Sequence, residues 1–231
     1  MKALPRLYAI ADASFGNPGW LAASLIAGGA RLIQLRDKNA SSRELLDKVD
    51  RVIALAPSDV RIIVNDRVDI ARIAGAAGAH VGQKDLPPAA VRSILGPDAI
   101  VGVSTHNMQQ AVEADKLPVD YIAVGPIFPT STKENPDPVV GLGGLQEISK
   151  VVYKPIVAVG GIRLENAAEV LKAGAHAIAV IRDLLDCVMF GRAPASGLRF
   201  WLPCATRAAI HEAVNELGGG PSPPGRGRAT N

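Results

Sequence analysis

Short runs rich in valine and isoleucine alternate along this chain with longer stretches whose apolar residues recur at helical spacing. The runs are RLYAIAD (6–12), RLIQLRD (31–37), RIIVND (61–66), GAHVGQ (78–83), AIVGVST (99–105), YIAVG (121–125), PIVAVGG (155–161) and AIAVIRD (177–183). Most are apolar on both faces, as strands of a parallel sheet covered by helices are. SSRELLDKVDRVIALA predicts a helix that opens at Ser41, a capping serine with Glu44 three positions behind it. LENAAEVLKAGA predicts a helix that stops just before Gly174, where a C-terminal glycine belongs. Further helices are expected from near Pro18, Arg67, Pro88, Asn107 and Gly144.

Eight strands alternating with helices predict an α/β fold, a (β/α)8 barrel, over an open doubly wound sheet. Periodicity does not report closure, so the open sheet stays as the alternative. The ends of the strands favour the barrel. Asp12, Gln34 with Arg36, Asn65 with Asp66, Gln83 with Asp85, and Ser104 with Thr105 all fall at C-terminal strand ends. Closing the sheet brings those ends round one mouth, where barrel enzymes build their sites. The expected organisation is a single domain over 1–217, with 185–217 as a closing helical region. The Gly/Pro-rich 218–231 is expected to be a disordered tail.

Composition narrows the function classes. The formal charge of the 231 residues is +3, and Arg226 and Arg228 of the tail supply two of those charges. The remainder gives no support for a nucleic-acid surface. Cys187 and Cys204 form no C-x-x-C pair, so neither a zinc site nor a disulfide framework is expected, and a reduced cytoplasmic chain is. No segment approaches the roughly 18 apolar residues of a membrane span, and the first residues read as a strand instead of a signal peptide. A homo-oligomer is compatible with the sequence and not specified by it.

Three constellations bear chemistry. In QLRDK, Gln34 and Arg36 share one strand face, and Arg36 with Lys38 offers cationic donors to a phosphate; the alternative is an arginine paired with a local carboxylate. In VNDR and VGQKDLP, Asn65, Asp66 and Asp85 stand at neighbouring strand ends, and two carboxylates so placed suit a hard cation such as Mg2+. The alternative makes Asp66 a helix N-cap and Asp85 a turn residue before Pro87. In AVGGI and AVIRD, Gly160 and Gly161 allow backbone amides to approach an anion after the seventh strand, the usual phosphate side of such a barrel. A glycine pair also serves as a plain turn. PTSTK (129–133), after the sixth strand, reads equally as a phosphate cradle or a solvated turn. His80 reads as a satisfied core residue, His106 as exposed, and no catalytic role is assigned to any histidine.

At these residues the sequence resembles the thiamine-phosphate synthase family. The blocks QLRDK, VNDRVDIA, GAHVGQKDLP, GVSTHN, DYIAVGPIFPTSTK and AVGGIRLENAAEVLKAGA occur in family order and cover most of 6–185. The resemblance implies a transferase that joins hydroxymethylpyrimidine diphosphate to a thiazole phosphate and releases pyrophosphate by a dissociative route. It implies Gln34, Arg36, Lys38, Asn65, Ser104 and Lys133 at the pyrimidine diphosphate, with Ser104 and Lys133 taking part in catalysis. It implies Asp66 and Asp85 as Mg2+ ligands. Thr130, Ser131 and Thr132 would hold the thiazole phosphate, with Gly161 and Ile181 across the mouth. Arg182 stands where many family members carry serine, and is expected to reach that phosphate or to pair with Asp183. The rivals are a thiazole tautomerase of the same fold, which needs neither diphosphate nor metal, and a non-catalytic barrel that binds thiamine precursors.

Overall fold

A computed structural model describes residues 4–130 and 137–184. The expected closing helical region (185–217), the tail (218–231), and Ser131, Thr132 and Lys133 lie outside the described residues. The strands are β1 (Leu7–Asp12), β2 (Leu32–Arg36), β3 (Arg61–Asn65), β4 (Gly78–Val81), β5 (Ile100–Thr105), β6 (Tyr121–Val124), β7 (Ile156–Val159) and β8 (Ala177–Val180). They close in sequence order, every neighbouring pair parallel and β8 pairing back onto β1 through Leu7 opposite Ile178. The barrel is therefore closed and the open-sheet alternative falls. The helices are α1 (Pro18–Ala27), α2 (Ser42–Leu55), α3 (Val68–Ile73), α4 (Pro88–Leu95), α5 (Met108–Asp115), α6 (Gly141–Val151) and α7 (Leu164–Lys172).

Strand alternation splits the core in two. One set of strand side chains, including Ile33, Leu35, Val64, Val103 and Ile178, packs outward against Leu21, Leu25, Leu45, Val49 and Val170 of the helices. The other set fills the barrel: Tyr8, Ile10, Leu32, Ile63, Tyr121, Ala123, Val157, Ala177 and Ala179. Both faces of each strand are thus buried, which is why the strands read as continuous apolar runs. The interior has little room to spare. Tyr121 lies across Gly102 of the neighbouring β5, where a Cβ would fall 2.0 Å from its ring.

The expected caps form. Ser41 accepts the Glu44 amide while the Glu44 carboxylate accepts the Ser41 amide, a complete capping box at the start of α2. Asn17 caps α1 with Pro18 in its first turn, and Asn107 caps α5. α6 starts at Gly141, ahead of the expected Gly144, because the Val140 amide is held by the Pro126 carbonyl across the barrel rim. Most strands end one to three residues earlier than their apolar runs, since their polar C-terminal residues leave the ladder and turn into the loops that build the mouth.

Candidate active site

One cavity of about 1130 Å³ opens at the C-terminal ends of the strands. Gln34, Arg36, Lys38, Asn65, Asp66, Asp85, Ser104, Thr130, Gly161, Ile181 and Arg182 all line it. Every described residue of the expected site therefore meets in a single mouth.

The side on β2 to β4 is charged. Arg36 ends β2 directly opposite Asp12 in register and pairs with its Oδ2, as the local-carboxylate alternative envisaged. Asp12 is buried, and its Oδ1 also accepts the Ser14 amide at 2.9 Å and the Ser14 hydroxyl at 2.7 Å. Lys38 reaches across to Asp66, Nζ to Oδ2 3.4 Å. Asp66 has φ 60°, in the left-handed region where a side chain other than glycine's is uncommon. Its amide is held by the His80 carbonyl at 2.8 Å, and the Arg67 amide bonds back to the Asn65 carbonyl at 2.7 Å. This tight turn aims the carboxylate into the cavity. The N-cap of α3 is Arg67, with no side-chain cap bond, so Asp66 is not the helix cap that its position also allowed. Strain at a residue that does no capping is typical of functional positions. Asp85 does fix its turn, accepting the Gly82 amide at 2.7 Å. It also faces Asp66: burial, then the Asp85 charge, raise the Asp66 carboxyl above the ordinary aspartate range, while Lys38 opposes them.

Asp66 thus sits where its ionisation is costly unless a positive charge is close by. Asp66 and Asp85 supply hard oxygen donors, and among the described residues no third His, Cys, Asp or Glu completes an all-protein cage. The pair fits a cation that takes most of its remaining ligands from water and substrate oxygens, as Mg2+ does.

The floor of the cavity is neutral and polar. Gln34 is buried and donates from Nε2 to the Tyr8 hydroxyl at 2.9 Å. The Tyr121 hydroxyl donates to Tyr8 at 3.0 Å. His80 lies between Tyr121 (Nδ1, 2.9 Å) and Ser104 (Nε2, 2.8 Å). Burial lowers the His80 pKa to about 4, so the ring is neutral at physiological pH. Burial likewise pushes the hydroxyls of Tyr8 and Tyr121 upward.

The side on β6 to β8 relies on backbone. Gly160 (φ 99°) and Gly161 (φ 64°) turn the chain after β7, and a Cβ at Gly161 would sit 2.7 Å from Phe128 Cβ and 2.8 Å from the Pro129 carbonyl. Asn166 of α7 braces the turn, donating to the Gly161 carbonyl at 3.1 Å. The Phe128 amide bonds to the Gly160 carbonyl at 3.0 Å, which seats the segment leading to Thr130 on the glycine turn. Arg182 lies over the Phe15 ring, its Cζ 5.6 Å from the centroid.

A family model described as thiamine monophosphate synthase matches residues 7–184, the full barrel. The chain belongs to the thiamine monophosphate synthase family. It is accordingly an enzyme of that family. Among proteins it resembles, a thiamine-phosphate synthase of Koribacter versatilis is 50% identical over 189 residues, 79% of this chain and 90% of that protein. One from Shouchella clausii is 45% identical, covering 78% of this chain and 88% of the relative. Among solved structures, a thiamine phosphate pyrophosphorylase from Pyrococcus furiosus superposes with a TM-score of 0.71 at 34% identity, covering 90% of this chain and 96% of that one.

Some expectations shift. Thr105, grouped with the mouth, is fully buried on the helix side and donates to the Ala123 carbonyl at 3.0 Å. It neighbours Ser104 in sequence, and strand alternation sends the two to opposite faces. His106, expected to be exposed, is part-buried at the rim, with Nδ1 2.7 Å from the Gly125 carbonyl and Nε2 3.5 Å from Asp137. Tyr8 and Tyr121, at the cavity floor, are residues that the sequence alone does not single out. The one signal for them is a polar-tipped aromatic at an inward strand position, and telling inward from outward needs the closed barrel. Asp12 falls at the mouth by its place at a strand end, and its pairing with Arg36 comes from register.

Proposed function

We propose that this barrel makes thiamine phosphate from hydroxymethylpyrimidine diphosphate and a thiazole phosphate, with release of pyrophosphate. The observation that carries the reading is the division of one cavity into a charged side and a glycine-turn side, which suits two anionic substrates held face to face. Arg36, Lys38 and Asn65 would bind the diphosphate. Asp66 and Asp85 would hold Mg2+, which when bound offsets the charge of the diphosphate. The Gly160–Gly161 turn, Thr130 and Arg182 would take the thiazole phosphate, together with Ser131 and Thr132, while Lys133 would reach the diphosphate.

The chemistry follows from these placements. The bond between the pyrimidine methylene carbon and the diphosphate oxygen breaks first, its electron pair leaving with pyrophosphate. The thiazole nitrogen then donates its lone pair to that carbon. Arg36 and Lys38 stabilise charge that grows on the leaving oxygens, and fixed donors of this kind are often the largest catalytic contribution. For Arg36 this requires the diphosphate to compete with Asp12 for its guanidinium. No nucleophilic side chain is needed, and the neutral floor of Gln34, Tyr8 and Ser104 suits an uncharged ring.

Among the described residues no helix is long and apolar enough to cross a membrane. A cytoplasmic setting accords with that and with two cysteines that form no C-x-x-C motif. The test is to supply both substrates and follow pyrophosphate and thiamine phosphate with and without Mg2+. Product in stoichiometric amounts, lost on chelation, is expected. Full turnover after chelation would remove the metal from the scheme, and thiazole isomerisation without coupling would favour the tautomerase.

A further inference from the structure

β1 and β8 are the neighbours that close the barrel, and Ala9 stands opposite Val180 in their register. The residues that follow the two strands therefore rise side by side at the mouth. After β8 come Ile181 and Arg182, both of which line the cavity. After β1 comes a single 3-10 turn, Ala13–Phe15. The Phe15 ring lies under the Arg182 guanidinium, whose Cζ is 5.6 Å from the ring centroid. That is inside the distance of about 6 Å over which an aromatic face attracts a cation. Phe15 does not itself line the cavity. It meets the cation from behind, outside the space that a ligand would fill.

The ring is held, and the guanidinium it meets is on an exposed, long side chain. Phe15 packs against the outer core. Asp12 secures the start of its turn, with Oδ1 accepting the Ser14 amide and hydroxyl. The Gly16 amide closes the turn on the Ala13 carbonyl at 3.3 Å, and Asn17 then caps α1. A free arginine side chain loses much rotamer freedom when it binds an anion. One already stacked on a fixed ring has lost part of that freedom beforehand. Stacking uses the face of the guanidinium and leaves its in-plane N–H donors for an anion.

We propose that Phe15 is a positioning residue for Arg182, holding its guanidinium at the mouth as the side-chain cation for the thiazole phosphate. This inference rests on the thiazole-phosphate reading above and names the residue that makes Arg182 effective within it. The short turn then has two charges to place. Asp12, at its start, pairs with Arg36, and Phe15, at its end, supports Arg182. One three-residue turn thus mounts a cation on each side of the cavity.

The test is a double-mutant cycle on the full-length protein, with wild type, Phe15→Leu, Arg182→Ser and the double variant. Leucine keeps an apolar side chain against the core and removes the aromatic face. Phe15→Leu is expected to raise KM for the thiazole phosphate about two- to fivefold, the scale of an exposed cation–π contact, with kcat and KM for the pyrimidine diphosphate unchanged. In the Arg182→Ser background the same substitution is expected to change nothing. Phe15→Tyr, which keeps the face, is expected to match wild type. With an unphosphorylated thiazole alcohol, which offers Arg182 no anion, Phe15→Leu is expected to leave KM as it was. A rise of equal size in both backgrounds, or with the alcohol as well as the phosphate, would make Phe15 plain packing and overturn the proposal. So would a wild-type KM in Phe15→Leu. Calorimetry of thiazole phosphate binding to the same variants, without the diphosphate, reads the cycle in Kd independently of turnover. Absence of coupling by wild type overturns the proposed reaction instead, and the calorimetric cycle still decides the role of Phe15. No thiazole phosphate binding by wild type overturns both.

Discussion

The two sides of the cavity hold anions by different means. On β2 to β4 the groups are formal charges on side chains: Arg36, Lys38, Asp66 and Asp85, partly neutralising one another through Asp12–Arg36 and Lys38–Asp66. On β6 to β8 the main device is backbone geometry, the turn at Gly160 and Gly161 with the β6 loop seated on it. The difference follows the proposed chemistry. Charge on the diphosphate grows as its bond breaks, and mobile or metal-borne charge can follow it. The thiazole phosphate keeps its charge throughout, and a rigid turn serves a constant load. Arg182 adds a side-chain cation to the second side, and Phe15, on the same short turn as the Ser14 that supports Asp12, lies beneath its guanidinium.

The hardest blow to this contrast comes at Asp85, which has both a turn bond and a charge. Asp85→Asn retains an oxygen to accept the Gly82 amide and loses the charge. It is expected to cut kcat/KM by about a thousandfold, the scale of losing a key electrostatic group, with a melting temperature close to wild type. Asp85→Ala is expected to match it in activity and to lose stability by about 1 kcal/mol for the broken hydrogen bond. Near-wild-type turnover in Asp85→Asn would reduce Asp85 to a turn residue and erase the charged side's distinction.

Gly161→Ala attacks the other side. Its φ of 64° and the 2.7 Å approach of Phe128 leave no room for a methyl group. A cost of about 1–3 kcal/mol in stability is expected, with KM for the thiazole phosphate raised at least about tenfold and KM for the diphosphate little changed. Equal rises in both constants would mean that the turn is general scaffold.

The charged side should also be the pH-sensitive one. The Asp66 pKa is raised by burial and by Asp85, so folding without metal is penalised once Asp66 ionises, and its contribution to stability falls as pH rises from the ordinary aspartate value through the raised one. A cation that binds the ionised pair relieves that penalty. The rise in melting temperature on adding Mg2+ is therefore expected to be larger at pH 8 than at pH 5, by differential scanning fluorimetry. A shift independent of pH would count against Asp66 as a ligand. The smallest effect expected is at Arg182. Arg182→Ser should raise KM for the thiazole phosphate about three- to tenfold, one charge-assisted contact exchanged for a neutral one. An unchanged KM would leave the glycine turn to do the work alone.

Much of the fold was legible along the chain, and the reason is that its signals are short-range. The apolar runs found all eight strands, and Ser41 with Glu44, Asn107 and Pro18 marked helix starts within a residue. The candidate site residues were legible by type, since Arg36, Lys38, Asp66 and Asp85 lie at the C-terminal ends of their strands or within four residues beyond them. Their partners were not. Tyr8 and Tyr121 are separated by 113 positions and meet because β1 and β6 face each other across the interior. Thr105 and Ser104 differ by a single position, and face, not type, decides which of them sees the cavity.

The sequence by itself determined the alternation of strands and helices, the helix caps, and the charged and glycine-rich loop chemistry, because propensity, capping and hydrophobic period depend on residues a few positions apart. The tertiary structure alone decided that β8 closes on β1, that Arg36 pairs with Asp12, that burial and the neighbouring Asp85 raise the Asp66 pKa, and that Ser104 is tied through His80 to two tyrosines. Those depend on register around the barrel and on which face of each strand turns inward, and both are set by packing the whole chain at once.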